Sequence, residues 1–192
     1  MEALNFLAEQ IKKCHLCRLG DTRTNAVPGY GNPESPVLFV GEGPGKNEDE
    51  KGLPFVGAAG KFLDKCLDSI GWKREDVFIT NVVKCRPPEN RDPLPDEITT
   101  CCNNYLKNQI RLIKPLLIVT LGRHSLELFL PGKKISEVHG KAMRTQGENG
   151  LQVYLALYHP AAALYNGGLQ SVLLADFQKI PALLEQLKNT NA

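Results

Sequence analysis

Four short apolar runs punctuate the chain: Pro36–Gly41, Val77–Lys84, Leu116–Leu121 and Val153–Tyr158. Each is rich in Val, Ile, Leu or Phe, and none alternates strictly between apolar and polar positions. Such runs are expected of strands covered on both faces, as in a parallel sheet. Between and around them, apolar residues recur at helical spacing over Glu2–Lys13, Ala58–Ile70, Pro95–Ile113, Arg123–Leu130 and Leu169–Lys188. In the second of these, Phe62, Leu63, Cys66, Leu67 and Ile70 form one apolar stripe, which makes Cys66 a core residue. Pro95 and Asp96 suit a helix start, and Pro115 marks an end. The stretch Val138–Gln152 predicts a small hairpin that turns at Glu148-Asn149-Gly150. Alternating strands and helices predict the α/β class: a three-layer α/β/α sandwich around a central, mainly parallel four-stranded sheet.

Length adds that residues 1–192 read as a single domain, since a domain takes ~150 residues and no linker, repeat or low-complexity tract interrupts the pattern. Hydrophobic residues at 42% and charged residues at 23% exclude a disordered or collagen-like chain. The apolar runs are far shorter than the about 20 residues a membrane-spanning helix needs. Met1–Lys13 mixes acidic and basic residues without an apolar signal core, so a cytoplasmic location and no membrane partner are expected. A net charge of +2 permits nucleic-acid binding but does not argue for it, since nonspecific electrostatic binders are usually far more basic. Any contact with DNA must come from a local site.

The six cysteines, Cys14, Cys17, Cys66, Cys85, Cys101 and Cys102, sharpen the picture. A reducing cytosol disfavours structural disulfides. Cys14 and Cys17 form a C-x-x-C pair that closes the first helix, whereas a thioredoxin-like pair follows a strand and opens a helix. Two thiolates at that spacing grip one metal centre from a tight turn. Cys85 ends a strand in KCRPPENRDP, and Cys101-Cys102 lie on the helix begun by Pro95. Two sulfurs from one turn and two from another region make a four-cysteine site, and the inventory suits zinc and an iron–sulfur cluster alike.

Ligands of open α/β sheets bind beyond the carboxyl ends of the strands. Three such ends carry unusual residues: VLFVGEGPGKNEDEKGLPFVG, ITNVVKCRPP and LALYHPAAALY. A site built from them would hold Glu42, Gly43, Glu48, Phe55, Asn81 and His159. A Walker A reading of GEGPGKN fails, because its spacing is short by one residue and Asn47 replaces the magnesium-holding Ser or Thr. The dinucleotide fingerprint fails on glycine spacing.

Taken in order, CxxC at Cys14/Cys17, GEGPG at Gly41–Gly45, KGLPFVGAAG at Lys51–Gly60, NVVKCRPPENRDP at Asn81–Pro93 and YHPAAAL at Tyr158–Leu164 resemble the family-4, iron–sulfur branch of the uracil-DNA glycosylase superfamily. The resemblance covers nearly the whole chain. It implies a [4Fe–4S] cluster, single- or double-stranded DNA containing uracil as partner, and a monomer that releases uracil and leaves an abasic site. In the family pattern one cysteine follows the CRPP loop; this chain has two. Cys101 suits the spacing to Cys85, while Cys102 suits a C-x-x-aromatic-Leu register with Tyr105 and Leu106 and shares a helix face with Leu106, Ile110 and Ile113. That shared face favours Cys102.

The same resemblance gives the strand-end residues roles. Asn81 presents one acceptor and one donor, matching uracil N3–H and O4 and mismatching cytosine. Phe55 is a stacking platform, and Gly41 and Gly43 admit the base and sugar closely. His159 donates to uracil O2 as charge develops. Classical superfamily members carry aspartate where Gly43 stands, which leaves Glu42 to position water. Glu48 is expected to wall off the C5 edge of the base. Arg86 and Arg91, with Lys84, are candidate phosphate contacts, and Leu164 or Tyr165 a wedge for the gap left by a flipped base. His124 reads as a capping or surface residue. Two other readings are a superfamily glycosylase with another base preference and a noncatalytic iron–sulfur protein associated with DNA or a polymerase. The branch that traps its product through a histidine in this loop is disfavoured, since CRPPENRDP has none.

Overall fold

The computed structural model describes residues 2–190. The four apolar runs form the parallel centre of a six-stranded sheet, ordered β1-β3-β2-β4-β6-β5. The strands are β1 (Tyr30–Gly31), β2 (Val37–Gly41), β3 (Phe78–Asn81), β4 (Leu117–Leu121), β5 (Ala142–Gly147) and β6 (Gly150–Leu157). β3, β2, β4 and β6 are parallel neighbours, while β1 and β5 pair antiparallel with β3 and β6 at the two edges. The sheet thus has six strands where the pattern predicts four. β5 is the outer arm of the predicted hairpin. β1 is two residues long and lies outside any apolar run, so periodicity carries no trace of it.

Continuous apolarity along each central strand hides an alternation of destination. Leu38 and Val40 point to one face of the sheet, and Val37 and Phe39 to the other. The first face packs Leu7 and Ile11 of the helix Glu2–Lys12, together with Leu106 and Ile110 of the helical stretch Pro95–Ile113. The second packs the predicted stripe Phe62, Leu63, Cys66 and Leu67, and Phe177 stacks on Phe39 with ring centroids 5.7 Å apart. Each such buried side chain contributes roughly 1.5–3 kcal/mol. Two cores of this kind fix the strands, and with them the positions of their carboxyl ends.

Two helices depart from the predicted spans. The last is divided into Gly168–Phe177 and Ile180–Thr190. At the break, Gln178 Nε2 donates to the Ser69 carbonyl at 2.8 Å, a long-range contact that no local pattern announces. The stretch Pro95–Ile113 is unbroken but contains a π-helical turn over Cys102–Leu106. It closes at Lys114 in the left-handed region (φ 52°), just before Pro115. Among the described residues no helix is long and apolar enough to cross a membrane.

Candidate active site

Beyond the carboxyl ends of β2, β3 and β6 lies a cavity of about 300 Å³. Glu42, Gly43, Glu48, Phe55, Asn81 and His159 all line it, with Arg91 and Ala161 at its edge. The six strand-end residues singled out from sequence therefore share one space. Gly41 sits beneath it. A Cβ there would stand 2.3 Å from Asn81 Oδ1 and 2.7 Å from Phe55 Cζ, so a side chain at position 41 would displace both.

Asn81 is the last residue of β3 and pairs with Gly41. Its side chain is buried, and Oδ1 has no hydrogen-bond partner within the protein. A desolvated acceptor left unmet costs about 1–3 kcal/mol. The atom is thus prepared for a donor on a ligand.

His159 follows β6 and caps the helix Pro160–Tyr165. Its Nδ1 accepts the Ala161 N–H at 3.1 Å. An accepting Nδ1 puts the ring proton on Nε2 and leaves a neutral imidazole with one donor free. Burial pulls the His159 pKa down to about 4, against an opposing pull from Glu48. The ring lies 5.6 Å from that of Phe55, tilted by 30°. Behind it, Gly122 (φ 92°) leaves room that a Cβ would close, at 2.9 Å from His159 Cβ.

Phe55 has a left-handed backbone (φ 53°), a conformation costing about 1–3 kcal/mol in a residue other than glycine. Three neighbours hold it there. Glu48 Oε1 accepts the N–H groups of Val56 and Gly57, both at 2.8 Å. Arg74 donates to the carbonyls of Pro54 (2.9 Å) and Phe55, and is itself paired with Asp64 at 2.5 Å. Gly60 completes the seat, because a Cβ there would fall 1.7 Å from the Phe55 carbonyl oxygen. Sequence reasoning missed Arg74, which stands in a polar turn without a motif. Glu48 also differs from expectation. It lines the cavity, but its second oxygen accepts Gly45 N–H at 3.1 Å, so its carboxylate clamps two loops together instead of standing free at a base edge.

Glu42 is half-buried at the cavity mouth. Burial raises its carboxyl pKa above the ordinary value, and the neighbouring His124 opposes that rise. His124 is therefore no surface cap. Its Nε2 lies 3.6 Å from Glu42 Oε2 and 3.3 Å from Asp92 Oδ1, and Asp92 Oδ2 takes Arg123 at 2.5 Å.

The loop cations separate into different situations. Arg91 forms a two-pronged pair with the buried Glu97, at 2.9 and 2.7 Å, which ties the loop to its helix. Arg86 is half-buried, with Nε on Asn90 Oδ1 at 2.7 Å. Lys84 is 1% exposed and cannot reach a phosphate, which corrects the expectation for it. At the rim, Leu164 is 43% and Tyr165 93% exposed.

Cys14, Cys17, Cys85 and Cys101 line a second, small cavity. Cys102, which the shared helix face favours, does not line it. The face it shares with Leu106 and Ile110 is apolar because it meets the sheet; the adjacent face, with Cys101 and Tyr105, turns to the other cysteines. Backbone and side-chain donors point at the sulfurs: Arg23 Nη1 on Cys85 (2.9 Å), Lys84 N on Cys101 (3.3 Å) and Leu16 N on Cys14 (3.4 Å). Tyr105 lines the same cavity. Burial pushes the Cys101 thiol up to about 12, so as a bare thiol it stays protonated, and a bound metal is what would deprotonate it. Four converging sulfurs with N–H donors aimed at them suit a thiolate-bound metal centre. Cys66 is buried in the core, as its stripe predicts.

Residues 28–187 match the model of the Uracil DNA glycosylase superfamily. The chain is 49% identical over 189 residues to the Type-4 uracil-DNA glycosylase of Sulfurisphaera tokodaii, covering 95% of this chain and 86% of that one. This is a type-4 member of the superfamily. The type-4 enzymes of Saccharolobus solfataricus and Archaeoglobus fulgidus are each 47% identical to it, over 96% and 95% of this chain and 88% and 94% of theirs. In this type-4 chain the five motifs contribute residues to both cavities.

Proposed function

We propose that this protein hydrolyses the N-glycosidic bond of deoxyuridine in DNA, releasing uracil and leaving an abasic site. The observation that carries the reading is one cavity in which the buried Asn81 Oδ1 is unpartnered and His159 is fixed as a neutral donor. The nucleotide leaves the helix stack at a cost of about a few kcal/mol. Its base slides over Phe55, and stacking there returns ~1–3 kcal/mol. Asn81 Oδ1 accepts uracil N3–H and Nδ2 donates to O4. Cytosine reverses both groups and leaves buried polar atoms unmatched, a mismatch worth roughly 10⁴-fold in rate.

As the glycosidic bond stretches, positive charge grows on the sugar and negative charge on the base. His159 Nε2–H donates to O2 and stabilises the departing anion. With its imidazolium pKa lowered to about 4 the ring is neutral near pH 7, and its remaining N–H, a very weak acid, hydrogen-bonds to O2 without being transferred. Glu42, ionised, accepts from a water and aims it at the anomeric carbon while offsetting the sugar's charge. Gly43 leaves the space that water occupies. Arg86 is the loop's candidate phosphate contact, with Leu164 and Tyr165 as candidates to fill the vacated stack.

Cys14, Cys17, Cys85 and Cys101 would hold a [4Fe–4S] cluster. Bound there, it supplies a cross-link between the N-terminal segment and the loop after β3, and the hydrolysis itself moves no electron. The chain acts as a single-domain monomer on this reading.

The test is a single-stranded oligonucleotide carrying one uracil, incubated with iron-loaded protein and then treated with alkali. Cleavage at the uracil is expected; intact strands overturn the reading. N81A and H159A should each slow excision about 10²–10³-fold with iron content unchanged. Wild-type rates in those variants would refute the base-reading and anion-stabilising roles.

A further inference from the structure

Lys84 is the largest charged side chain in the interior, at 1% exposure. Its side chain folds back toward the end of β3, which precedes it. Nζ donates to Thr80 Oγ1 at 2.7 Å and to the Asn81 carbonyl at 2.6 Å. Its backbone N–H meanwhile donates to Cys101 Sγ at 3.3 Å. The same residue therefore touches the base-reading strand end with its head and the cysteine centre with its main chain. Thr80 Oγ1 lies 3.0 Å from the Pro28 carbonyl and 3.2 Å from Gln109 Oε1, and Gln109 Nε2 donates to Pro28 at 2.6 Å, so the seat for Nζ is itself fixed.

The partners of Nζ are a hydroxyl and a carbonyl, and among the described residues no carboxylate pairs with it. An ammonium buried without an opposite charge is costly. Four thiolates around an iron–sulfur core leave that centre net negative.

We propose that Lys84 is a positioning residue that joins the two cavities: it is the internal counter-charge of the cysteine centre and the donor that fixes the main chain of Asn81. The inference rests on the proposed function, in which Asn81 reads the base and the four cysteines hold a cluster. It assigns that cluster an indirect influence on base recognition. Charge at the centre keeps the ammonium seated, and the seated ammonium holds the carbonyl of the residue whose amide faces the base.

Iron-loaded K84M is compared with wild type and N81A by excision kinetics and by redox titration of the cluster. The midpoint potential should shift to more negative values, because a nearby positive charge has gone. The kcat should fall at least ~10-fold with little change in KM, the mark of a misplaced group and not of weakened DNA binding. Wild-type kcat in iron-loaded K84M overturns the proposal, and so does an unshifted potential. Wild-type behaviour of N81A would instead refute the base-reading role, a distinct failure. Should K84M not fold, K84R keeps the charge but cannot place one nitrogen on both acceptors. A potential near wild type with reduced kcat then supports the proposal, and unreduced kcat overturns it.

Discussion

The base cavity and the cysteine centre lie at opposite ends of the five residues Asn81–Cys85, yet they are built by different means. The cavity depends on backbone. Phe55 sits in a strained conformation held by Glu48, Arg74 and Gly60, and Gly41 clears the approach of Asn81. The centre depends on side chains: four sulfurs converge from a tight turn, a loop and one helix face. Strain of the first kind survives without a ligand because neighbouring hydrogen bonds over-determine it. Convergence of the second kind sets four thiols together, two of them buried, and needs a metal to be favourable.

Separating the two begins with the cysteines, where the largest effect is expected. C101A should lose its iron and C102A retain it, measured by iron content and visible absorbance. Equal loss in both would mean that the helix face is misassigned. Next comes G60A. A methyl 1.7 Å from the Phe55 carbonyl must shift the ledge, and excision should fall about 10²-fold while iron content holds. R74A removes one of several supports and should cost roughly 10-fold, again with iron retained.

The smallest effect is a displacement along the pH axis. Water positioning requires ionised Glu42, whose pKa is raised by burial, so excision should fall as pH drops through that raised value. His159, neutral down to about 4, stays competent over the same range. E42Q should lose the acid limb along with most activity. H124A removes the influence that opposes the rise, so the limb should move to higher pH. A limb that stays in place in H124A would detach His124 from the carboxylate.

Much of this was legible in the chain. Central strands read as unbroken apolar runs because helices cover both faces, and Asn81 and His159 stand out because they end such runs. What stayed hidden is what depends on distant partners. Arg74 acts on a loop about 20 residues upstream, and Arg23 reaches Cys85 from the N-terminal turn. Neither contact leaves a periodic mark. Lys84 looked like a loop cation because charge predicts exposure unless a buried anion is known beforehand. The choice between Cys101 and Cys102 was hard to read for a related reason: helical spacing identifies residues that share a face, but it does not say which neighbour that face meets.

Cys17 and Cys85 are separated by about a third of the chain, and Cys101 is farther still. During synthesis, the first pair of sulfurs must wait until β2 and β3 have emerged and closed against each other. Loop closure of that span costs entropy before any bond at the centre returns it. Assembly of the metal site is thus a late event in biogenesis, and its completion reports that the reading strand has already found its place.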